Sequence, residues 1–399
     1  MTTLVPSSPT RITELDALRG LAVIGIVWMN VHVFALPAQG YYNPTVAGVA
    51  GGPFDRLIWA TSFVFIEDKF RTLFAMLFGA GCVILLEKGG ERRWRAHYAR
   101  MAVLFAIGLV HATLFASNDI LRAYALAGCA LPLLANLSPR ALIAVAIGLV
   151  TVHIGGGIVG FGSALYNWAQ GNLGHDMVFW AERNFGDEAP AVQWSLEQGK
   201  EGFVERVSRR IDGLGAQLGT IIRSVPINLA AMALGMALWK DRMLAAEWRT
   251  FRLQRLAALC AVLSVPPLLW LANWVAESGF PGSLVGPASL VLSAPFDTAL
   301  GVAYAALAMA LFDKEGAFTV RLASVGRLAL SNYLLTSVIL ATIFASWGFG
   351  LFGQVNRFEA FLLSFVPIVA MLLWSPVWVS KVGQGPVERL WRSAAKRLS

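Results

Sequence analysis

Leu104–Gly128, LFAIGLVHATLFASNDILRAYALAG, is the stretch on which the reading of this chain turns. It divides into two apolar segments joined by a short turn, Ala116–Asn118, with His111 about one turn inside the end of the first and Asp119 opening the second. An aspartate there caps a helix, because the first N–H groups of a helix have no internal partner and favour a carboxylate. Capping accounts for Asp119 alone. It does not account for an imidazole within its reach in a segment otherwise fit for lipid. Ionisable side chains at membrane depth are costly and by default mark function. The hairpin therefore reads as the carrier of a working base, His111, held by a carboxylate, Asp119.

Working outward, the composition agrees with a lipid setting. Hydrophobic residues make up 57% of 399 and charged ones only 14%, and mean hydropathy is +0.62. A soluble domain carries about a quarter charged residues. The formal charge of +8 does not point to nucleic acid, because the basic residues gather in short loops between apolar runs. The three cysteines, Cys82, Cys129 and Cys260, lie in apolar stretches without metal-ligand spacing and read as small buried hydrophobes. No metal is expected. The N-terminus lacks the basic, apolar and cleavage-site order of a signal peptide, so the first span is expected to serve as an uncleaved insertion signal.

A spanning helix needs roughly twenty mostly apolar residues. That rule predicts an all-α polytopic bundle of about ten spans: 15–36, 69–87, 98–115, 119–137, 140–162, 214–239, 253–276, 285–312, 322–346 and 358–380. Residues 54–66 are apolar but short and read as an interfacial or re-entrant helix feeding the second span. Basic residues fall in the 88–100, 240–252 and 314–321 loops and in the tail, against only Arg56 and Arg357 near the opposite edges. That asymmetry predicts both termini in the cytoplasm. The chain then divides into a cytoplasmic segment 1–14, membrane helices 15–162 containing the 104–128 hairpin, an extracytoplasmic amphipathic cap 163–213, membrane helices 214–380, and a basic tail 381–399 suited to anionic headgroups. The cap carries Trp168, Trp180 and Trp194 and reads as an interfacial layer, with a substrate lid as the alternative. The glycines of GGGIVGFG (Gly155–Gly162) allow close helix approach or a kink; with no Lys-Ser/Thr after them they are not a phosphate loop.

Intramembrane polar residues sort into two depots. The outer one holds Asn30, His32, Glu67, Asp68, Lys69, Arg71, His111, Asp119, Arg122, Tyr124, His153, Arg223 and Asn228, with Asp297 deeper. The inner one holds Asp16 and Arg19, on one helical face at (i, i+3), with Arg327 and Asn332. Snorkelling and local ion pairs explain parts of each depot. The sharper reading is an inner anion site, since guanidinium forks match phosphate oxygens, below an outer acid/base site. A donor bearing phosphate would dock inside, and His111, its tautomer set by Asp119, would deprotonate an acceptor outside.

The motifs LDALRG, WMN, ALPAQGYYNP, KFRTLFAMLFGAG, GLVHATLFASNDILRAYALAG, LSAPF, VGRLALSNYLL and GQGPVERLWR, in this order through nearly the whole chain, resemble the YeiB-like bacterial inner-membrane family, domain of unknown function 418. The LDALRG opening is also similar to the transmembrane acyltransferases of the acyltransferase-3 and heparan-glucosaminide acetyltransferase types. That resemblance implies acyl-CoA as donor and an acceptor on the far side. In the acyltransferase-3 pattern a histidine follows the arginine after ten residues. Here Arg19 with that spacing meets Asn30, and the nearby His32 reads as interfacial, which shifts the base to His111.

The expectation is thus a multi-pass protein of the bacterial inner membrane that moves a small acyl group from cytosolic acyl-CoA to an extracytoplasmic glycan, lipid or small molecule. His111 and Asp119 are the catalytic candidates, Asn30, Tyr124, Lys69 and Arg122 the substrate-binding ones, and Asp16, Arg19, Arg327 and Asn332 the donor-binding ones. Membrane lipids are the expected partners, a homodimer is admissible, and nucleic acid is not expected. The rival is a transporter using the same charges as a relay, which predicts repeats and helices broken near mid-membrane.

Overall fold

The computed structural model describes residues 12–46, 53–88, 90 and 93–399; most of the expected 1–14 segment and the loop residue Arg92 lie outside them. The described residues form helices without a strand. The first half runs α1 (Thr13–Ala35), a 3-10 turn (Ala38–Tyr41), α2 (Pro53–Phe65), α3 (Lys69–Lys88), α4 (Arg93–Leu114), α5 (Ile120–Gly128), α6 (Leu131–Leu134) and α7 (Pro139–Ala169). Three short helices follow: α8 (Asp176–Phe185), α9 (Ala189–Gly199) and α10 (Phe203–Asp212). The second half runs α11 (Leu214–Lys240), α12 (Thr250–Glu277), α13 (Gly282–Pro287), a π turn (Ala288–Leu292), α14 (Ala294–Leu311), α15 (Ala317–Arg327), α16 (Ala329–Phe344), α17 (Arg357–Leu363), α18 (Phe365–Val382) and α19 (Pro386–Leu398).

Among the described residues eight helical stretches are long and apolar enough to cross a membrane, or nine if the bent pair α15–α16 counts as one. The expected span 119–137 is not one helix, because the chain turns at Cys129–Ala130 between α5 and α6. It still returns across the bundle. Arg122 near its start bonds Gln217 at the start of α11 (2.9 Å), and Lys240 at the end of α11 bonds the carbonyls of Ala135 and Leu137 (2.5 and 2.8 Å). The two ends of the chain share one face: the Asp16 carbonyl abuts Gly326, and the neighbouring Arg327 bonds the carbonyl of Gly383, just before α19. The chain is a polytopic helical membrane protein.

Several boundaries move for local reasons. α2 and α3 run on as one apolar stretch of 34 residues, Phe54–Glu87, across the turn Ile66–Asp68. At about 1.5 Å per residue this far exceeds a hydrocarbon core of roughly 30 Å, so α2 extends the second span and does not form an extra crossing. The expected span 322–346 bends by 80° between α15 and α16. There the Glu388 carboxylate of α19 accepts from the backbone N–H groups of Leu330 and Ser331 (2.8 and 3.1 Å), supplying the partners a restarted helix needs. The expected cap begins later than 163, because α7 continues to Ala169. Glu182 on α8 fastens that cap by accepting from Gly282 N–H and Ser283 N–H at the start of α13 (2.9 and 3.2 Å). In GGGIVGFG only Gly157 meets another helix closely, at Val291; Gly155, Gly156 and Gly160 face open space.

The central core packs α1, α3, α11 and α14 through Leu18, Ala22, Leu73, Met76, Met232, Met236 and Ala305. Lipid supplies no hydrophobic drive between helices, so small residues and close backbone approach carry the association. Gly79 and Gly235 face each other at the α3–α11 crossing: a Cβ on Gly79 would stand 2.1 Å from the Met232 carbonyl oxygen, and one on Gly235 1.8 Å from that of Met76. Gly235→Ala is expected to lower the melting temperature in detergent, with an overpacking cost of about 1–3 kcal/mol. Gly155→Ala, with open space around it, should melt as wild type; equal melting of the two variants would remove the crossing as a packing determinant.

Candidate functional site

The hairpin closes as its sequence predicts, and a glycine one turn earlier explains how. A Cβ at Gly108 would stand 2.6 Å from Asp119 Oδ1 and 2.9 Å from the Arg122 nitrogen. Gly108 and His111 share a face of α4, so the missing side chain at one lets the N-terminus of α5 settle against the other. Asp119 is the cap of α5: its Oδ1 accepts from Arg122 N–H at 3.1 Å. Its Oδ2 lies 2.6 Å from His111 Nδ1, and both side chains are buried. Tyr333 of α16 donates its hydroxyl to the same Oδ2 at 3.3 Å, and its ring lies 5.2 Å from the imidazole. Spacing could not have found Tyr333, which lies 214 residues from Asp119.

With the Nδ1 proton directed at the carboxylate, Nε2 presents its lone pair. That nitrogen is buried and reaches no hydrogen-bond partner among the described residues. After His111 the chain turns: Phe115 N–H and Ala116 N–H both donate to the His111 carbonyl (2.8 and 3.2 Å). The turn residues Leu114–Ser117 line a cavity of about 90 Å³, closed by Val33 and Phe34 of α1, Arg206 and Arg210 of α10, and Trp347; His111 itself is not in its wall.

The other predicted residues divide. Arg122 is buried beside Asp119 and donates to Gln217 (2.9 Å) and to the Ser117 carbonyl (2.7 Å), with its Nε buried and unpartnered among the described residues. Those two bonds tie the hairpin to α11 and to its own turn. Tyr124 does not line an outer pocket: it is fully buried between Phe74 and Phe78, and its hydroxyl donates to the Arg71 carbonyl at 2.7 Å. Lys69 is likewise no substrate ligand, because its ammonium pairs with Asp297 at 2.6 Å and donates to the Phe63 carbonyl in a buried setting. Asn30 is half-buried on α1 and absent from the cavity wall. His153 accepts a structural role, with Nε2 2.8 Å from the Leu290 carbonyl of the π turn, and Arg223 is exposed. His32 is wholly buried within the bundle.

Arg19 pairs with Asp16 at 2.7 Å and lies against α3 at Gly81, its side chain about a quarter exposed (27%). Arg327 points its NH2 to the Gly383 carbonyl. Asn332 cannot serve a ligand: its amide donates to the Val325 carbonyl and Ser375 hydroxyl and accepts from Trp374, all at 2.8–3.1 Å.

A polytopic helical membrane protein with a buried histidine–aspartate couple is the class that this geometry defines. Residues 238–397 match the model of a family described as protein of unknown function (DUF418). Over nearly its full length the chain is 34% identical to the uncharacterized protein YeiB of Escherichia coli strain K12 (98% of this chain, 97% of the relative) and 27% identical to the uncharacterized protein YxaH of Bacillus subtilis strain 168 (99% and 96%). It belongs to this YeiB-like DUF418 family. No solved structure matches.

Proposed function

We propose that this protein is a transmembrane acyltransferase of the bacterial inner membrane, taking a small acyl group from acyl-CoA. The observation that carries the reading is the buried His111–Asp119 couple, with Nε2 unpartnered among the described residues, on the helix whose following turn, Leu114–Ser117, lines a small chamber. Nε2 takes the proton of an acceptor hydroxyl or amine as that atom attacks the thioester carbonyl. The carbon–sulfur bond breaks, and the leaving thiolate receives the proton from the imidazolium, which Asp119 stabilises meanwhile. Tyr333, bonded to the same carboxylate oxygen, holds that oxygen in line. The likeness of Leu15–Gly20 to membrane acyltransferases supports the donor, and Arg19, with its side chain about a quarter exposed, is the residue proposed to meet its phosphates.

A transporter would break helices near mid-membrane. The 80° break between α15 and α16 sits beside Asp16 at the start of α1, at one face of the bundle, while the turn at Cys129–Ala130 between α5 and α6 falls midway along its stretch, so the helix breaks do not separate the two readings. The test is release of free CoA thiol from acetyl-CoA by the protein in nanodiscs with added acceptors, alongside calorimetric CoA binding. Arg19→Ala is expected to weaken CoA binding about tenfold, the loss of roughly 1.4 kcal/mol of charge-assisted hydrogen bonding. Unchanged affinity would retire Arg19, and a wild type that neither binds CoA nor consumes its thioester would retire the transferase.

A further inference from the structure

α10 lies over the hairpin with its charge arranged unevenly. Arg209 takes the one nearby carboxylate, Glu201, through its Nε at 2.9 and 2.8 Å. Arg206 and Arg210 stand four residues apart, hence on one face, and both line the chamber at Leu114–Ser117. Neither has a carboxylate within ion-pair distance among the described residues. Arg206 donates one NH2 to the Gly199 carbonyl at 2.8 Å while its Nε is buried without a partner. Arg210 reaches only the Thr113 carbonyl, at 3.4 Å. Burial, and then repulsion from Arg206 and Arg209, push the Arg210 guanidinium down to about 10; burial, and then Arg209, lower Arg206 as well.

We propose that Arg206 and Arg210 bind a phosphate ester group of the acyl acceptor and hold it in the chamber. Two half-buried guanidiniums on one face, facing a chamber and sharing Glu201 with Arg209, which already pairs it, are a cost that a phosphate removes by supplying charge and paired oxygens to both forks. The chamber of about 90 Å³ holds a headgroup and not a whole substrate, so the rest of the acceptor extends out under the cap. The same turn that lines it, Leu114–Ser117, bonds directly to the His111 carbonyl, so the chamber opens at the end of the helix that carries His111. The word acceptor rests on the transferase reading; phosphate binding does not.

The test uses the full-length protein in nanodiscs. One arm titrates inorganic phosphate and glycerol 3-phosphate and reads calorimetry and melting temperature. The other compares nanodiscs of phosphatidylglycerol with phosphatidylcholine and counts retained lipid by native mass spectrometry. Arg206→Gln/Arg210→Gln is expected to weaken phosphate binding at least tenfold, or to lose the retained phosphatidylglycerol, according to whether the phosphate is soluble or carried by a lipid. Without phosphate that variant should melt no lower than wild type, because repulsion is relieved, and Arg206→Lys/Arg210→Lys should keep part of the affinity. His111→Gln should bind phosphate as wild type, so failed turnover and failed anchoring are read separately. A wild type that responds to neither probe, or a Gln pair that responds as wild type does, overturns the proposal.

Discussion

His111→Gln should cut acyl transfer by roughly 10³-fold, the middle of the range for a lost general base, while leaving the protein inserted and monodisperse. Glutamine fills a similar volume and can still donate to the Asp119 oxygen that His111 Nδ1 now approaches at 2.6 Å, so packing survives while the lone pair at Nε2 is lost. Asp119→Asn separates the two duties of that carboxylate. Asparagine caps a helix as well as aspartate does, so α5 should keep its start. Its carboxamide nitrogen, turned toward Nδ1, would favour the tautomer with the proton on Nε2, where no base remains, and a comparable loss of rate is expected. The measurement is thiol release in nanodiscs together with size-exclusion behaviour. Wild-type turnover in His111→Gln would remove the imidazole from the chemistry.

Lys69→Met should give the largest stability loss of any single polar substitution in the bundle. Lys69 and Asp297 are paired at 2.6 Å with side chains 1% and 4% exposed. The ammonium also lies 5.6 Å from the Phe63 ring. Removing one partner leaves a buried charge uncompensated, at a cost of about 3–5 kcal/mol, whereas replacing both by apolar residues is often neutral. Thermal unfolding in detergent should therefore rank Lys69→Met far below wild type and return Lys69→Met/Asp297→Leu close to it. A single variant as stable as wild type would mean that Asp297 does not depend on Lys69 for its burial. The double variant also speaks to the rival reading, since a relay that needs both charges would lose function with stability intact.

Membrane class, helix content and the His111–Asp119 couple were all legible in the residues, because each rests on local order. Apolar run length marks a span, and a histidine eight residues before a capping aspartate across a three-residue turn can hardly avoid it. Gly108 could have been read by the same logic, since it sits one turn before His111. The roles of Lys69, Tyr124 and Asn332 were not legible. A polar residue in an apolar run looks alike whether it meets substrate, a carbonyl or a counter-ion, and each of these has a partner far along the chain: Trp374 for Asn332, the Arg71 carbonyl for Tyr124, Asp297 for Lys69.

Apolar run length in the chain thus marks it as a polytopic helical membrane protein, and local order brings one imidazole to one carboxylate, since both follow from contacts between near neighbours. Packing alone assigns the remainder. It is packing that seals Lys69 against Asp297, adds Tyr333 to the couple, and lays Arg206 and Arg210 over the chamber, because those meetings join distant segments whose proximity no local pattern encodes.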